Sequence, residues 1–352
     1  MTGVQRLRVT EDEGEMRLDR WLRRHFPHLS QGQIERMCRK GELRLDGARV
    51  RAATRVRPGQ EVRVPPLPAP TARPAAEEHR APARPAEDDR RMMREAVLYM
   101  DDHLVAINKP PGLPSQGGSG QGQRHVDALA EALRFGRAEK PLLVHRLDKD
   151  TSGVLLLARS PRVARRLSEA FRSRATRKIY WAAVAGVPSP RKGTIRYGLV
   201  KGAGSRAEAE RMRCLHPDEV DRTPGAKRAR TDYAVLSTLG KRAAWVALVP
   251  VTGRTHQLRA HMAAMGHPII GDTKYGTRGQ ENLGDGWGAQ LGGEVSRKLH
   301  LHARSIRFRH PITGAEMVIT APLPAHMKRT WDMVGWSVED VPDDPFDGTE
   351  GG

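Results

Sequence analysis

HRLDKDTSGVLLLA, residues 145–158, is the stretch from which the rest of the chain can be placed. Leu142, Leu143 and Val144 form a short apolar run just before it, and residues 154–158 form a second. Aliphatic runs this short, bounded by polar residues and a glycine, read as buried strands. Asp148 is then a carboxylate on a short loop between two rigid elements, with Arg146 beside it. A reacting group needs that kind of support. A plain surface turn draws on the same residue types, whose side chains bond the local backbone, and that structural role is expected of Asp150, Thr151 and Ser152.

Outward from this loop, strand-like runs recur at 97–100, 104–108, 179–184, 233–236, 244–249, 304–308 and 316–319. Helical patterns are fewer: 126–135, 161–171 behind the cap Ser160, and 256–265. Many short strands in mixed order with few helices argue for an α+β domain on a largely antiparallel mixed sheet, spanning 95–334. The regular strand–helix alternation of a dinucleotide-binding fold is missing.

The first organised unit covers 4–65. Leu18, Trp21, Leu22 and Phe26 recur at helical spacing. Ser30 followed by Gln33 forms a capping-box pattern that opens a second helix with the apolar stripe Ile34, Met37 and Cys38, stopped by Gly41. Strand-like pieces at 43–45 and 62–64, with turns at Asp46-Gly47 and Pro58-Gly59, complete a module of two helices and a small hairpin. Residues 66–94 are rich in Pro, Ala and Arg and read as a linker. The tail 337–352, with Glu339, Asp340, Asp343, Asp344 and Asp347, is acidic and expected to fray.

Sixty Lys and Arg against 41 Asp and Glu leave a formal charge of +19, which points to a polyanionic partner. Two cysteines, Cys38 and Cys214, exclude a disulfide framework and a Cys-rich zinc site. The polar first fifteen residues hold no signal-peptide pattern, and no apolar run is long enough to span a bilayer, so a cytoplasmic protein is expected.

With these elements in place, HRLDKDTSG resembles the signature of the RluA-type pseudouridine synthases. Four further blocks agree in order: YMDDHLVAINKPPGLPSQGGSG from Tyr99, RKIYWAAVAG from Arg177, PVTGRTHQLRAHMAAMGHPIIGDTKYG from Pro250 and LHLHA from Leu299. RLDRWL, SQGQIERMCRKGELRLDGARV and RPGQEVRV, in the first unit, are similar to an S4 RNA-binding domain, the arrangement of RluC-like members. The resemblance implies isomerisation of uridine to pseudouridine in structured RNA, with large-subunit ribosomal RNA as the substrate class.

It also implies site residues. Asp148 matches the catalytic carboxylate, Arg259 the arginine that pairs with it, and Tyr180 the active-site tyrosine that stacks on the target base. Arg146 would enter the space left by a flipped uridine, and Arg254 and His256 would contact RNA. In the S4-like unit, Arg36, Arg39, Lys40 and Arg44 form a basic face for phosphates.

No cofactor is expected for an isomerisation without net redox change, and nothing demands more than a monomer. His256, His261 and His267, or His300 and His302, lack the spacing of a metal site. Gly117-Gly118-Ser119-Gly120 lacks the lysine of a phosphate loop. Three rival readings are a transfer-RNA substrate, a non-catalytic RNA-binding or ribosome-assembly protein, and a glycosidase, which would need a second, opposed carboxylate that the motif does not support at Asp150. The basic segment 202–230 is a further candidate to touch RNA.

Overall fold

The computed structural model describes residues 3–13, 16–67, 86–117, 124–173, 175–203, 208, 211–276, 295–342 and 344–346. The chain divides into two compact units, Met1–Ala83 and Arg84–Gly352.

In the first unit, helices α1 (Leu18–His25) and α2 (Gln31–Lys40) cover a small antiparallel sheet. Strands β1 (Gln5–Arg8), β2 (Arg44–Leu45), β3 (Ala48–Arg49) and β4 (Glu61–Val64) run in the order β1-β4-β2-β3. Leu18, Trp21, Leu22, Ile34, Leu43 and Val62 are fully buried, so the helical stripes face the sheet. The capping box is present in both directions: Gln33 N donates to Ser30 Oγ at 3.3 Å, and Ser30 N donates to Gln33 Oε1 at 2.8 Å. Strand β1 was not expected. Its sequence QRLR places only one aliphatic residue in four, and pairing with β4 makes it a strand.

The second unit is built on an 11-stranded sheet. Its strands are β5 (Val97–Met100), β6 (Leu104–Lys109), β7 (Leu142–Leu143), β8 (Ser152–Ala158), β9 (Arg177–Ala185), β10 (Lys192–Lys201), β11 (Met212–Leu215), β12 (Lys227–Leu239), β13 (Ala243–Pro250), β14 (Leu301–Arg309) and β15 (Glu316–Thr320). The order is β11-β10-β12-β13-β9-β14-β8-β6-β5, with β15 on β14 and β7 on β8. Every pairing is antiparallel except that of β8 with β14. Helices α3 (Glu87–Glu95), α4 (Val126–Leu129), α5 (Pro161–Arg172), α6 (Gln257–Ala264) and α7 (Ala325–Val334) belong to this unit.

The parallel contact explains the glycine of the quoted motif. Gly153 has φ +110, and a Cβ there would lie 2.2 Å from the carbonyl oxygen of Ala303, its partner on β14. No side chain fits, so only glycine lets β8 approach β14 closely enough to pair at the end of the Asp148 loop.

Several expectations are corrected. Residues 87–94, read as linker, form α3, because Met93 is fully buried against α4 and its neighbours. The helix at 126–135 is α4 followed by a 3-10 turn, Ala130–Leu133. Within the basic segment 202–230, β11 spans Met212–Leu215 and β12 begins at Lys227, with a 3-10 turn at Pro217–Glu219 between them. The tail is not wholly frayed: Asp344, 5% exposed, pairs with Arg177 at 2.6 Å, and Phe346 is buried. Asp343, Asp347, Gly118, Ser119, Gly120 and most of the linker lie outside the described residues. Among the described residues no helix is long and apolar enough to cross a membrane.

Candidate active site

Asp148 opens into a cleft of about 680 Å³ whose walls come from its own loop, the start of β9, the segment 249–259 and the end of β14. Arg146, Tyr180, Arg254, His256 and Arg259 line the same cleft. Residues brought together by the sequence motifs, though far apart along the chain, therefore share one chamber.

The Asp148 loop is fixed by the loop that follows β6. Lys109, fully buried, donates from Nζ to the carbonyls of Pro110 (2.9 Å), Leu113 (2.8 Å) and Lys149 (3.0 Å). Ser115 Oγ donates to Leu147 O at 2.7 Å and accepts from Leu147 N at 3.0 Å, while Gly112 N donates to Lys149 O at 2.9 Å. Residues on both sides of Asp148 are thus held by backbone and side-chain bonds from 109–115. Burial pulls the Lys109 ammonium down to about 7, opposed by the charges of Asp150 and Asp148. Thr151 N donates to Asp148 O, and Ser152 Oγ bonds His302 Nδ1 at 2.9 Å, so these two neighbours are structural.

Arg259 lies near Asp148, but its main partner is another carboxylate. Its Nη1 is 3.9 Å from Asp148 Oδ2, whereas Nε and Nη2 each donate to Asp272 at 2.7 Å. The Asp272 side chain is 0% exposed and its Oδ1 also accepts from Lys274 N (2.9 Å) and Tyr275 N (3.0 Å). Burial alone would lower the Arg259 pKa, but the Asp272 bonds and charge, with Asp148, raise it instead. The guanidinium is a fixed cation whose free edge faces Asp148. Gly271, at φ +75, positions this carboxylate; a Cβ there would lie 2.0 Å from Lys298 O.

His256 caps α6 in a left-handed conformation, φ 52 and ψ 20, which a non-glycine residue seldom adopts. Its Nε2 is 3.9 Å from Asp148 Oδ2, and its Nδ1 is 3.0 Å from the Tyr275 hydroxyl. Met212 N donates to that hydroxyl at 2.7 Å. The hydroxyl accepts from Met212 N and can give its own proton to His256 Nδ1; in that tautomer the ring N–H sits on Nε2, 3.9 Å from Asp148 Oδ2. Burial lowers the His256 pKa against the pull of Asp148, so the ring is a neutral donor. Burial also raises Tyr275, to about 12.

Tyr180 pairs with Ala303 on β14 and Leu248 on β13, at the centre of the sheet. Burial first, and the nearby Asp148 charge second, raise its pKa and keep the phenol protonated. Arg146 and Arg254 are exposed at the mouth of the cleft, and Arg254 Nε reaches Arg228 O at 3.4 Å. In the first unit, Arg36, Arg39 and Lys40 are exposed at i, i+3 and i+4 of α2, one face of that helix. Arg44 is half-buried and donates to Gly47 O.

Three of the histidines considered as metal ligands bond protein groups instead. His261 Nδ1 bonds Thr231 Oγ1, His300 bonds Lys298 O and Thr330 Oγ1, and His302 Nε2 bonds Ala321 O. Lys109, Ser115, Asp272 and Tyr275 were not singled out from sequence. All four sit inside the recognised blocks, at NKPPGLPS and GDTKYG.

Known proteins match this arrangement over most of its length. A family profile described as RNA pseudouridylate synthase matches residues 103–264, and an S4 domain profile matches 16–62. A Vibrio cholerae protein named ribosomal large subunit pseudouridine synthase C is 35% identical over 332 residues, covering 93% of this chain and 96% of its own. The chain belongs to the RNA pseudouridylate synthase family. The synthase of the same name from Escherichia coli is 34% identical, with 93% of this chain and 95% of its own covered. Among solved structures, human RNA pseudouridylate synthase domain containing 4 shares 30% identity at a TM-score of 0.54, covering 70% of this chain and 95% of its own. As a pseudouridine synthase the protein is an isomerase acting on RNA, with an S4 domain ahead of its catalytic unit.

Proposed function

We propose that this synthase converts specific uridines of large-subunit ribosomal RNA to pseudouridine in the cytoplasm, with Asp148 as the reacting carboxylate. The observation that carries the reading is the cleft itself. One carboxylate faces two fixed donors, Arg259 and His256, each at 3.9 Å, beside a protonated tyrosine. The target uridine is flipped out of its stack into this chamber, with Arg146 at the mouth to occupy the gap. Ionised Asp148 serves by attacking the sugar carbon or by removing a sugar proton. Either route breaks the C1′–N1 bond, retains the uracil while it turns, and joins C1′ to C5, whose proton is then lost. Tyr180 supplies a stacking face, worth ~1–3 kcal/mol per base, and a hydroxyl for the turning base. The substrate assignment is supported by the names and near full-length coverage of the bacterial relatives and by the S4 domain.

Carbodiimide mapping of pseudouridines in ribosomal RNA from cells lacking the protein tests this. Sites lost in the deletion should return with the wild type and stay absent with Asp148→Ala. Survival of all ribosomal sites would sink the ribosomal assignment and bring transfer RNA or a purely binding role forward.

A further inference from the structure

The amino-terminal end of β9 carries a charge that the reaction at Asp148 does not use. We propose that Lys178 is the anion subsite of the cleft and takes one phosphodiester of the nucleotides flanking the flipped uridine. This rests on the reading of the cleft as an RNA site.

Lys178 and Tyr180 are two residues apart on one strand, so their side chains leave the same face of the sheet about 6.6–6.8 Å apart along it. Both line the cleft. The Lys178 ammonium lies 4.3 Å from the centre of the Phe171 ring, whose other neighbour is the His145 ring at 4.5 Å. His145 Nε2 accepts from Leu156 N, and burial keeps that imidazole neutral, so it adds no second positive charge beside Lys178. Among the described residues no carboxylate or carbonyl bonds the Lys178 ammonium. Glu316, exposed at the same end of the cleft, stands opposite Arg309 in the β14–β15 ladder and makes no ion pair with Lys178. Arg177, the preceding residue, is already held by Asp344 at 2.6 Å. Burial pulls Lys178 down to about 8.

A largely desolvated ammonium with only an aromatic ring against it is costly to keep. An anion entering the cleft would supply the missing partner, and the ring quadrupole holds the cation in place until then. The cost to the empty enzyme and the gain on binding are two sides of one arrangement, so they can be tested together.

The experiment compares wild type with Lys178→Met and Lys178→Arg on a minimal RNA substrate, and on the same RNA carrying one methylphosphonate at each position near the target. Lys178→Met removes the charge and keeps the stem over Phe171. Its Tm should rise, while KM increases ~10–100-fold, as for a lost charge-assisted bond, and kcat falls far less. The slope of log Kd against log salt should shrink by about 0.7–0.9, one phosphate contact. One methylphosphonate position should weaken binding to wild type and Lys178→Arg but leave Lys178→Met indifferent. A less stable or unfolded Lys178→Met, or a variant as sensitive as wild type at every position, overturns the subsite. Absence of pseudouridine from wild type with every RNA would defeat the functional reading instead.

Discussion

The two units handle charge in opposite ways. On α2 of the S4 domain, Arg36, Arg39 and Lys40 are exposed on one helical face. In the catalytic unit, Lys109 is fully buried, and Arg259 and Asp272 are 4% and 0% exposed. Exposed cations act on a polyanion through counterion release, and each contributes much as its neighbour does. These three buried ions are bound by geometry, and each has a stated partner whose loss leaves a charge or dipole unmet. On the proposed function, the S4 face would set how strongly RNA is held and the buried set what happens to one base, a division that variants can test.

The largest effect that sharpens this contrast is expected from Asp272→Asn. It leaves Arg259 buried without its counter-charge, so denaturant unfolding should show a loss of about 3–5 kcal/mol. At temperatures where the variant stays folded, kcat should fall more than KM rises. Unchanged stability would mean that the pair is not what holds Arg259.

A smaller effect is expected at His256. Glutamine carries an N–H near the place of Nε2, whereas asparagine carries one near Nδ1. Single-turnover rates should be about tenfold higher for His256→Gln than for His256→Asn, consistent with one bond to a charged group. The reverse order would break the assignment of the proton to Nε2. The Tyr275→Phe variant should move the ring nitrogen resonances of His256, since it removes the hydroxyl that sets the tautomer.

The smallest effect belongs to the exposed face. Combining Arg36→Ala with Arg39→Ala should leave stability within about 0.5 kcal/mol and single-turnover chemistry unchanged. The salt dependence of RNA binding should flatten by about 0.7–0.9 for each residue lost. A drop in the chemical step would erase the distinction between the two units.

How much of this is legible in sequence follows from the same contrast. Helices α1 and α2 declare themselves because their apolar period, capping box and terminal glycine are local. Asp148 and its loop are legible because two apolar strands bracket them. Strand β1, with its three polar residues in four, becomes a strand only through β4, which no local pattern announces. Lys109 and Asp272 read as loop polar residues, since nothing next to them in sequence shows three converging carbonyls or a guanidinium 13 residues away. Arg259 lines the same cleft as Asp148, but its bidentate partner is Asp272, because the closer carboxylate comes from a turn after α6. Asp344 looked like part of a solvated acidic run until Arg177, 167 residues earlier, took it up.

The parallel contact of β8 with β14 joins residues 150 positions apart, as the Ser152–His302 bond shows. Loop-closure entropy must be met before such a contact rewards the chain, so high contact order slows its formation. The loop that holds Asp148 ends in β8, and β9 is flanked by β13 and β14. In a refolding time course, secondary structure should return first and isomerase activity last, because the chamber closes only when the most distant strand docks.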